Sequence, residues 1–192
     1  MICIRRARPD DATAIGAVHV ATWRSTYAGI LPDCYLAGLS GLRQAACYER
    51  AIMDRAGGHA VFVACASGPD VPPDHPGEGP AVIGFASGGR ARRPGLAQGE
   101  VETLYLLDDY RDRGVGRRLM RAMAAHLAAV GCRSAMLWVL RDNPSRWFYG
   151  RLGGRPAARE EIRFAGQTLE QLAYVWDPIE SLLAATAPAK EG

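Results

Sequence analysis

The segment from residue 100 to residue 131 constrains the fold more than any other part of the chain. Residues 100–107 are mostly apolar or β-favouring and have the length of a strand. Apolar side chains then recur at helical spacing, at Val115, Leu119, Met123, Leu127 and Val130, before Gly131 supplies a stop signal. A strand that leads through a short turn into a long amphipathic helix predicts a mixed α/β fold class, with helices packed on a sheet.

The rest of the chain repeats this alternation of short apolar runs and helical periodicity. It predicts a first strand around residues 2–4, helices over 11–24, 40–55 and 143–152, and strands over 60–66, 81–87, 134–140, 157–164 and 169–176. The Pro/Gly-rich residues 67–80 are predicted to form a mobile hairpin loop. We therefore expect one domain over residues 1–178 and a frayed C-terminal tail over 179–192.

The composition excludes several classes of protein. The chain has 192 residues, of which 48% are apolar and 22% charged, as in ordinary globular domains. No apolar run approaches the roughly 20 residues that span a bilayer, so no membrane partner is expected. Five scattered cysteines without a C-x-x-C pair predict no disulfide framework and no metal site, and favour a reducing, cytoplasmic location.

The turn before the predicted long helix is rich in arginine and glycine, reading Arg111-Asp112-Arg113-Gly114-Val115-Gly116-Arg117-Arg118. Free N–H groups at a helix start, glycines and arginines together can bind a phosphate, although a plain turn would also use glycine. A Walker loop is excluded because Lys190 is the only lysine. A dinucleotide-binding turn is disfavoured because Leu119 occupies its third glycine position.

These residues resemble the GNAT superfamily, the acetyl-CoA-dependent N-acetyltransferases. The family's Q/R-x-x-G-x-G/A turn corresponds to Arg111–Gly116, and its later Asn, aromatic-Tyr and Leu-Gly steps correspond to Asn143, Phe148-Tyr149 and Leu152-Gly153. The stretch Val18–Arg24 is also similar to the opening helix of many members. Two positions depart from the family pattern, since Asp108 replaces a common proline and Gly154 a common aromatic residue.

The resemblance implies a single domain whose central, mostly antiparallel sheet is splayed at the cofactor strand and flanked by helices. It also implies transfer of an acetyl group from acetyl-CoA to a primary amine. The cofactor would contact the strand, the glycine turn and the family asparagine. These residues are Leu104, Tyr105, Leu106, Arg111, Arg113, Gly114, Val115, Gly116, Arg117, Arg118 and Asn143. An N–H near Leu106 is the candidate donor to the oxyanion.

The reaction needs a base for the amine and an acid for the departing thiolate. The resemblance makes Tyr149 the candidate acid. Glu102 is the first candidate base, with Glu100 and His19 as alternatives. Glu100 and Glu102 lie two residues apart, so we expect them on one face of the strand, with Leu104 and Leu106 continuing that face. Plain exposed acids at a strand start would also account for both.

The acceptor site is expected between the early helices and the late strands, with His19, Trp23 and Tyr27 as substrate-binding candidates. A small-molecule amine is the favoured acceptor, and a protein lysine or N-terminus is the alternative. A regulatory module that binds acyl-CoA without turnover is the alternative of another class. Nucleic acid is not expected as a partner, because a phosphate-containing cofactor accounts for the arginine cluster. A homodimer is possible through the late strands.

Overall fold

A seven-stranded sheet forms the centre of the computed structural model, which describes residues 1–54, 58–75, 79–93 and 95–188. The strands are β1 (Ile2–Arg6), β2 (Ala60–Ala66), β3 (Ala81–Arg90), β4 (Gly99–Leu106), β5 (Ala135–Leu140), β6 (Arg155–Phe164) and β7 (Gln167–Trp176). The helices in the described ranges are α1 (Ala12–Thr26), α2 (Asp33–Ala37), α3 (Gly41–Met53), α4 (Val115–Ala129), α5 (Arg146–Arg151) and α6 (Glu180–Ala185).

The strands are ordered β1-β2-β3-β4-β5-β7-β6, and every neighbouring pair is antiparallel except β4 and β5. The parallel pairing covers only Gly99 with Ala135 and Glu100 with Met136. Beyond these two positions the strands diverge. The predicted fold class, a mostly antiparallel sheet that opens at β4, is therefore confirmed.

Helices cover both faces of the sheet. Alternating residues of β2 belong to two separate core clusters, because successive side chains of a strand point to opposite faces. One cluster contains the inward face of α4, including Leu119 and Met123, and the other contains Ile15 and Val18 of α1. Among the described residues, no helix has both the length and the apolar character needed to cross a bilayer.

The segment after residue 178 is part of the core, which corrects the predicted domain boundary. Ile179 and Leu182 are 1% and 0% exposed and pack in the same cluster as α4. Arg121 of α4 donates a hydrogen bond of 2.9 Å to the carbonyl oxygen of Leu183. Residues 189–192 of the expected tail lie outside the described residues.

The Pro/Gly-rich segment, predicted to be a mobile loop from residue 67, begins in a turn that contacts the rest of the domain. Gly68–Asp70 forms a 3-10 turn. Tyr110 Oη donates a hydrogen bond of 2.6 Å to the Asp70 carbonyl oxygen, and Arg113 forms an ion pair with the Asp70 carboxylate. Residues 76–78 of the loop lie outside the described part of the chain.

We expect the Leu182→Ala substitution to lower the free energy of unfolding by about 2–5 kcal/mol, because it leaves a cavity in the main core. The matched control is Leu42→Ala, since Leu42 is 80% exposed, and its expected effect is within about 0.5 kcal/mol. Equilibrium urea unfolding measures both. Equal effects of the two substitutions would show that α6 is not part of the cooperative unit.

Candidate active site

A cavity of about 770 Å³ lies where β4 and β5 diverge. Its walls come from both strands, from the glycine turn before α4 and from the start of α5. Of the residues predicted to bind the cofactor, the following line this cleft: Leu104, Tyr105, Leu106, Arg111, Gly114, Gly116, Arg117 and Asn143. The cleft therefore joins the strand motif, the turn motif and the asparagine, which are separated in the sequence.

The edge of β4 offers main-chain hydrogen-bonding groups to the cleft. The N–H of Leu107 donates a bond of 2.9 Å to Ile83 in β3. Because N–H and C=O groups alternate sides along a strand, those of Leu106 and Leu104 point the other way, toward β5. The β4–β5 pairing ends at Glu100, so β5 does not pair with them. An extended ligand carrying amide groups can pair with this edge.

The turn before α4 presents free main-chain N–H groups. Asp112 and Gly114 both have positive φ angles, 58° and 74°, on either side of Arg113. The first helical hydrogen bond runs from Arg118 N–H to the Gly114 carbonyl oxygen over 3.1 Å. The N–H groups of Val115, Gly116 and Arg117 come before it and have no partner within the helix. This geometry is suited to binding a diphosphate.

Three of the residues predicted for this turn point away from the cleft. Val115 is 2% exposed and belongs to the core. Arg113 forms an ion pair with Asp70, and both terminal nitrogens of Arg118 donate to the Ile2 carbonyl oxygen over 3.0 Å. These three residues do not line the cleft, and the side chains of Arg113 and Arg118 hold neighbouring segments instead.

The arginines that do line the cleft are also partly engaged. Arg111 donates to Thr26 Oγ1 over 2.9 Å and forms an ion pair of 2.7 Å with Asp108. Arg117 donates one hydrogen bond of 2.6 Å to the Ala187 carbonyl oxygen. A guanidinium group has five N–H donors, so each arginine retains donors for a ligand.

A bulge in β4 separates the side chains that we expected on one face. Gly88 pairs with Val101 and Ser87 with Thr103, so Glu102 has no partner in β3. A Cβ atom at position 88 would overlap the Glu100 carbonyl oxygen, which explains the glycine there. After the bulge, Leu104 and Leu106 pack against the cluster that contains α4. The prediction that they continue the face of the two glutamates is therefore wrong.

Glu102 lines the cleft and is held by two cationic or proton-donating side chains. His59 Nε2 lies 3.3 Å from Glu102 Oε2, and Arg92 Nε lies 3.6 Å from Oε1. The hydrogen bond from His59, together with the positive charge of Arg92, lowers the pKa of Glu102 below its usual value. Its carboxylate is thus ionised at neutral pH. Sequence reasoning missed His59 and Arg92, because no motif links them to Glu102.

Glu100 occupies a different environment. It is 4% exposed and both of its carboxylate oxygens accept hydrogen bonds from Arg92, the shortest 2.5 Å long. It lines a second cavity of about 470 Å³ together with Met136 and Trp138. Trp138 also lines the main cleft. Glu100 does not line the main cleft, and both of its carboxylate oxygens are engaged by Arg92, so Glu102 is the better placed of the two glutamates.

Tyr149 is 7% exposed and lines the cleft. Burial raises the pKa of its hydroxyl, which is therefore protonated at neutral pH. Asn143 also lines the cleft, with Oδ1 accepting from Ser145 N–H over 2.8 Å and Nδ2 donating to Tyr27 Oη over 3.3 Å. One N–H of the Asn143 amide is left for a ligand.

The three residues predicted to bind the acceptor form one aromatic stack. His19 lies 5.1 Å from Trp23, and Trp23 lies 4.8 Å from Tyr27, measured between ring centroids. Only Tyr27 of the three is part of the cleft wall. His19 is 7% exposed and its Nδ1 lies 3.0 Å from Tyr48 Oη. His19 and Trp23 therefore pack behind the cleft, which disagrees with the predicted substrate contacts.

Within the described residues, no group of three or more His, Cys, Asp or Glu side chains is arranged to hold a metal ion.

Comparison with known proteins agrees with this geometry. The sequence model of the family "FR47-like protein" matches residues 86–164. The uncharacterized N-acetyltransferase YuaI of Bacillus subtilis strain 168 is 32% identical over 184 residues, covering 95% of this chain and 96% of the relative. The chain belongs to the GNAT family of N-acetyltransferases and is an acyltransferase.

Solved structures share the fold at low sequence identity. The PaiA N-acetyltransferase of Thermoplasma acidophilum, solved in complex with coenzyme A, has a TM-score of 0.67 and 20% identity, with 90% of this chain and 98% of that chain covered. The protein yncA of Salmonella typhimurium, solved with its cofactor acetyl-CoA, has a TM-score of 0.63 and 21% identity, with 92% of this chain and 93% of that chain covered.

We expect His19 to make stability depend on pH. Burial lowers the pKa of His19 to about 4, below the value of about 6.5 for an unfolded chain. Between these values the unfolded state binds more protons, so this contribution, about 3 kcal/mol in full, is present above about pH 6.5 and is lost as pH falls toward 4.

The measurement is urea unfolding of the wild type and of His19→Gln at several pH values. The variant should lose less stability than the wild type between pH 6.5 and 4.5. Parallel curves for the two proteins would contradict the buried, neutral histidine.

Proposed function

We propose that this N-acetyltransferase transfers an acetyl group from acetyl-CoA to the primary amine of a small molecule. The observation that carries the proposal is the cleft at the divergence of β4 and β5. It has an anion-binding turn at one end and places Glu102 and Tyr149 in the same cavity wall. Acetyl-CoA, when bound, supplies the acetyl thioester that an amine attacks.

The residues of the cleft match the parts of acetyl-CoA in order. The free N–H groups at Gly116 and its neighbours suit a diphosphate. The unpaired edge at Leu104 and Leu106 suits the amide-containing pantetheine arm. The spare N–H of Asn143 suits a carbonyl oxygen of the same arm. Main-chain groups provide most of these contacts, so the match depends on the backbone more than on single side chains.

Glu102 and Tyr149 are suited to opposite proton transfers. Glu102 is ionised, so its carboxylate can bind an ammonium group and accept a proton from it, directly or through water. The lowered pKa makes the Glu102 carboxylate a weak base. His59 and Arg92, whose contacts lower this pKa, also hold the carboxylate at the cleft, and this placement compensates for the weak basicity. Tyr149 keeps its proton and can donate it from Oη to a thiolate. Burial also raises the pKa of a thiolate at that place, which helps the transfer.

The second cavity supports a small acceptor. It shares the lining residue Trp138 with the cleft and is also lined by Arg92, which contacts Glu102. A volume of about 470 Å³ suits a small molecule. A lysine or N-terminus of a protein substrate remains an outcome of the test.

We also propose a cytoplasmic location, since the five cysteines, of which Cys65 and Cys132 are buried, are free thiols. A homodimer through the edge strand β6 belongs to the same proposal.

The test of this function is release of the coenzyme A thiol from acetyl-CoA over a panel of small amines, peptides with a free N-terminus and lysine peptides. The wild type should release thiol with at least one small amine, and Tyr149→Phe should lower kcat by about 100-fold with little change in the KM for acetyl-CoA. Turnover with peptides alone would identify a protein acceptor. Binding of acetyl-CoA without turnover of any amine would indicate a regulatory module.

A matched pair of substitutions tests the choice of base. Glu102→Gln should lower kcat by about 100-fold, because it removes the proton acceptor. Glu100→Gln should change kcat by less than about threefold, because Glu100 does not line the main cleft and glutamine keeps the size of the side chain. Steady-state kinetics with the best amine of the panel measures both. The opposite order of effects would make Glu100 the base.

A further inference from the structure

An exposed tryptophan lies at the rim of the cleft, near the glycine turn. Four large hydrophobic side chains are exposed in the described residues, and of these Trp147 alone lines the cleft. It is 61% exposed. Leaving so large an apolar ring in water costs free energy, so an exposed tryptophan beside a cavity is typical of a binding surface.

Trp147 is held beside the anion-binding turn by its own helix. The next residue, Phe148, packs against the start of α4, since a Cβ atom at Gly116 would lie 3.4 Å from Phe148 Cζ. The guanidinium carbon of Arg146 lies 4.5 Å from the centroid of the Trp147 ring and supports one side of it. Most of the remaining ring surface is exposed and can accept a flat, aromatic ligand.

Unpaired positive charge surrounds this ring. Within the described part of the chain, the side chains of Arg146 and Arg151 form no hydrogen bond or ion pair. Arg151 lines the cleft with Trp147, and Arg117 lines it from α4. The other arginines near the turn are engaged, Arg113 with Asp70 and Arg118 with Ile2. Among the described arginines near the turn, those with unengaged side chains are therefore Arg146 and Arg151, on the helix that carries Trp147.

We propose that Arg146, Trp147 and Arg151 form a subsite for a phosphorylated purine nucleoside, the adenosine 3′-phosphate end of coenzyme A. The purine ring stacks on Trp147, and the arginines bind the 3′-phosphate by charge-assisted hydrogen bonds. This inference rests on the proposed use of acetyl-CoA. It adds that affinity for the cofactor depends on its nucleotide end, and not only on the diphosphate and the pantetheine arm.

The test compares three probes by isothermal titration calorimetry: coenzyme A, 3′-dephospho-coenzyme A and 4′-phosphopantetheine. Trp147→Ala should weaken both purine-containing probes about 10-fold and leave phosphopantetheine unchanged. Trp147→Phe should recover part of the loss, because it keeps an aromatic face. The double variant Arg146→Ala/Arg151→Ala should remove most of the preference for coenzyme A over dephospho-coenzyme A, about 10-fold.

A second readout follows the ring itself. Coenzyme A should quench tryptophan fluorescence of the wild type, and the quenching should be much smaller in Trp147→Phe. Phosphopantetheine should quench little in either protein. These measurements do not depend on turnover.

One control variant, together with the binding of the wild type, separates this inference from the proposed function. Gly114→Glu should weaken all three probes, because it places a carboxylate and a side chain at the anion-binding turn. If the wild type binds no coenzyme A, both proposals fail. Suppose that the wild type binds coenzyme A, but Trp147→Ala weakens all three probes equally or weakens none of them. The proposed subsite is then wrong, whereas the proposed use of acetyl-CoA still holds. If Trp147→Ala leaves affinity intact but changes the mass in sedimentation equilibrium, the ring is an interface between copies, which also overturns the subsite.

Discussion

The site depends on a parallel strand pair that ends after two residues. β4 and β5 pair only at Gly99 and Glu100. An interior sheet strand normally has hydrogen bonds on both edges, and leaving one edge unpaired costs free energy unless water or a ligand replaces them. Here the divergence exposes the edge of β4 to a large cavity. The two halves of the sheet are each completed by antiparallel partners, so the opening does not disrupt the rest of the fold.

The bulge at Glu102 gives this open strand a second function. One residue of β4 has no partner in β3 there, and so the side chains before and after the bulge no longer alternate regularly between the two faces of the sheet. Val101, Leu104 and Leu106 anchor the strand on the α4 side, whereas Tyr105 packs with α1. Glu102 is left beside the cleft, where His59, the residue before β2, and Arg92 of the β3–β4 connection hold it. Two adjacent irregularities of β4 therefore act together: the end of the pairing with β5 provides the open edge, and the bulge opposite β3 positions the carboxylate.

Sequence patterns predicted the local parts of this structure and missed the long-range ones. The glycine turn, Asn143 and Tyr149 were predictable because each belongs to a short contiguous motif that specifies its own backbone. His59 was not, since only the register between β2, β3 and β4 brings it to Glu102. The burial of Leu182 depends on α4, and nothing in the Ala-rich segment around it signals that contact.

The arginines at and after the glycine turn differ in what their side chains contact. The predicted role was phosphate binding for the whole cluster, but charge alone does not decide where a long side chain points. Arg118 and Arg121 reach carbonyl oxygens of β1 and α6, so they bind the ends of the chain to α4. Arg117 does the same with one nitrogen and still lines the cleft. Because the free N–H groups of the turn are suited to an anion without help from side chains, the helix can use its arginines for packing. Near the cleft, the described guanidinium groups without a hydrogen bond or ion pair are those of Arg146 and Arg151, which lie on α5 at its outer end.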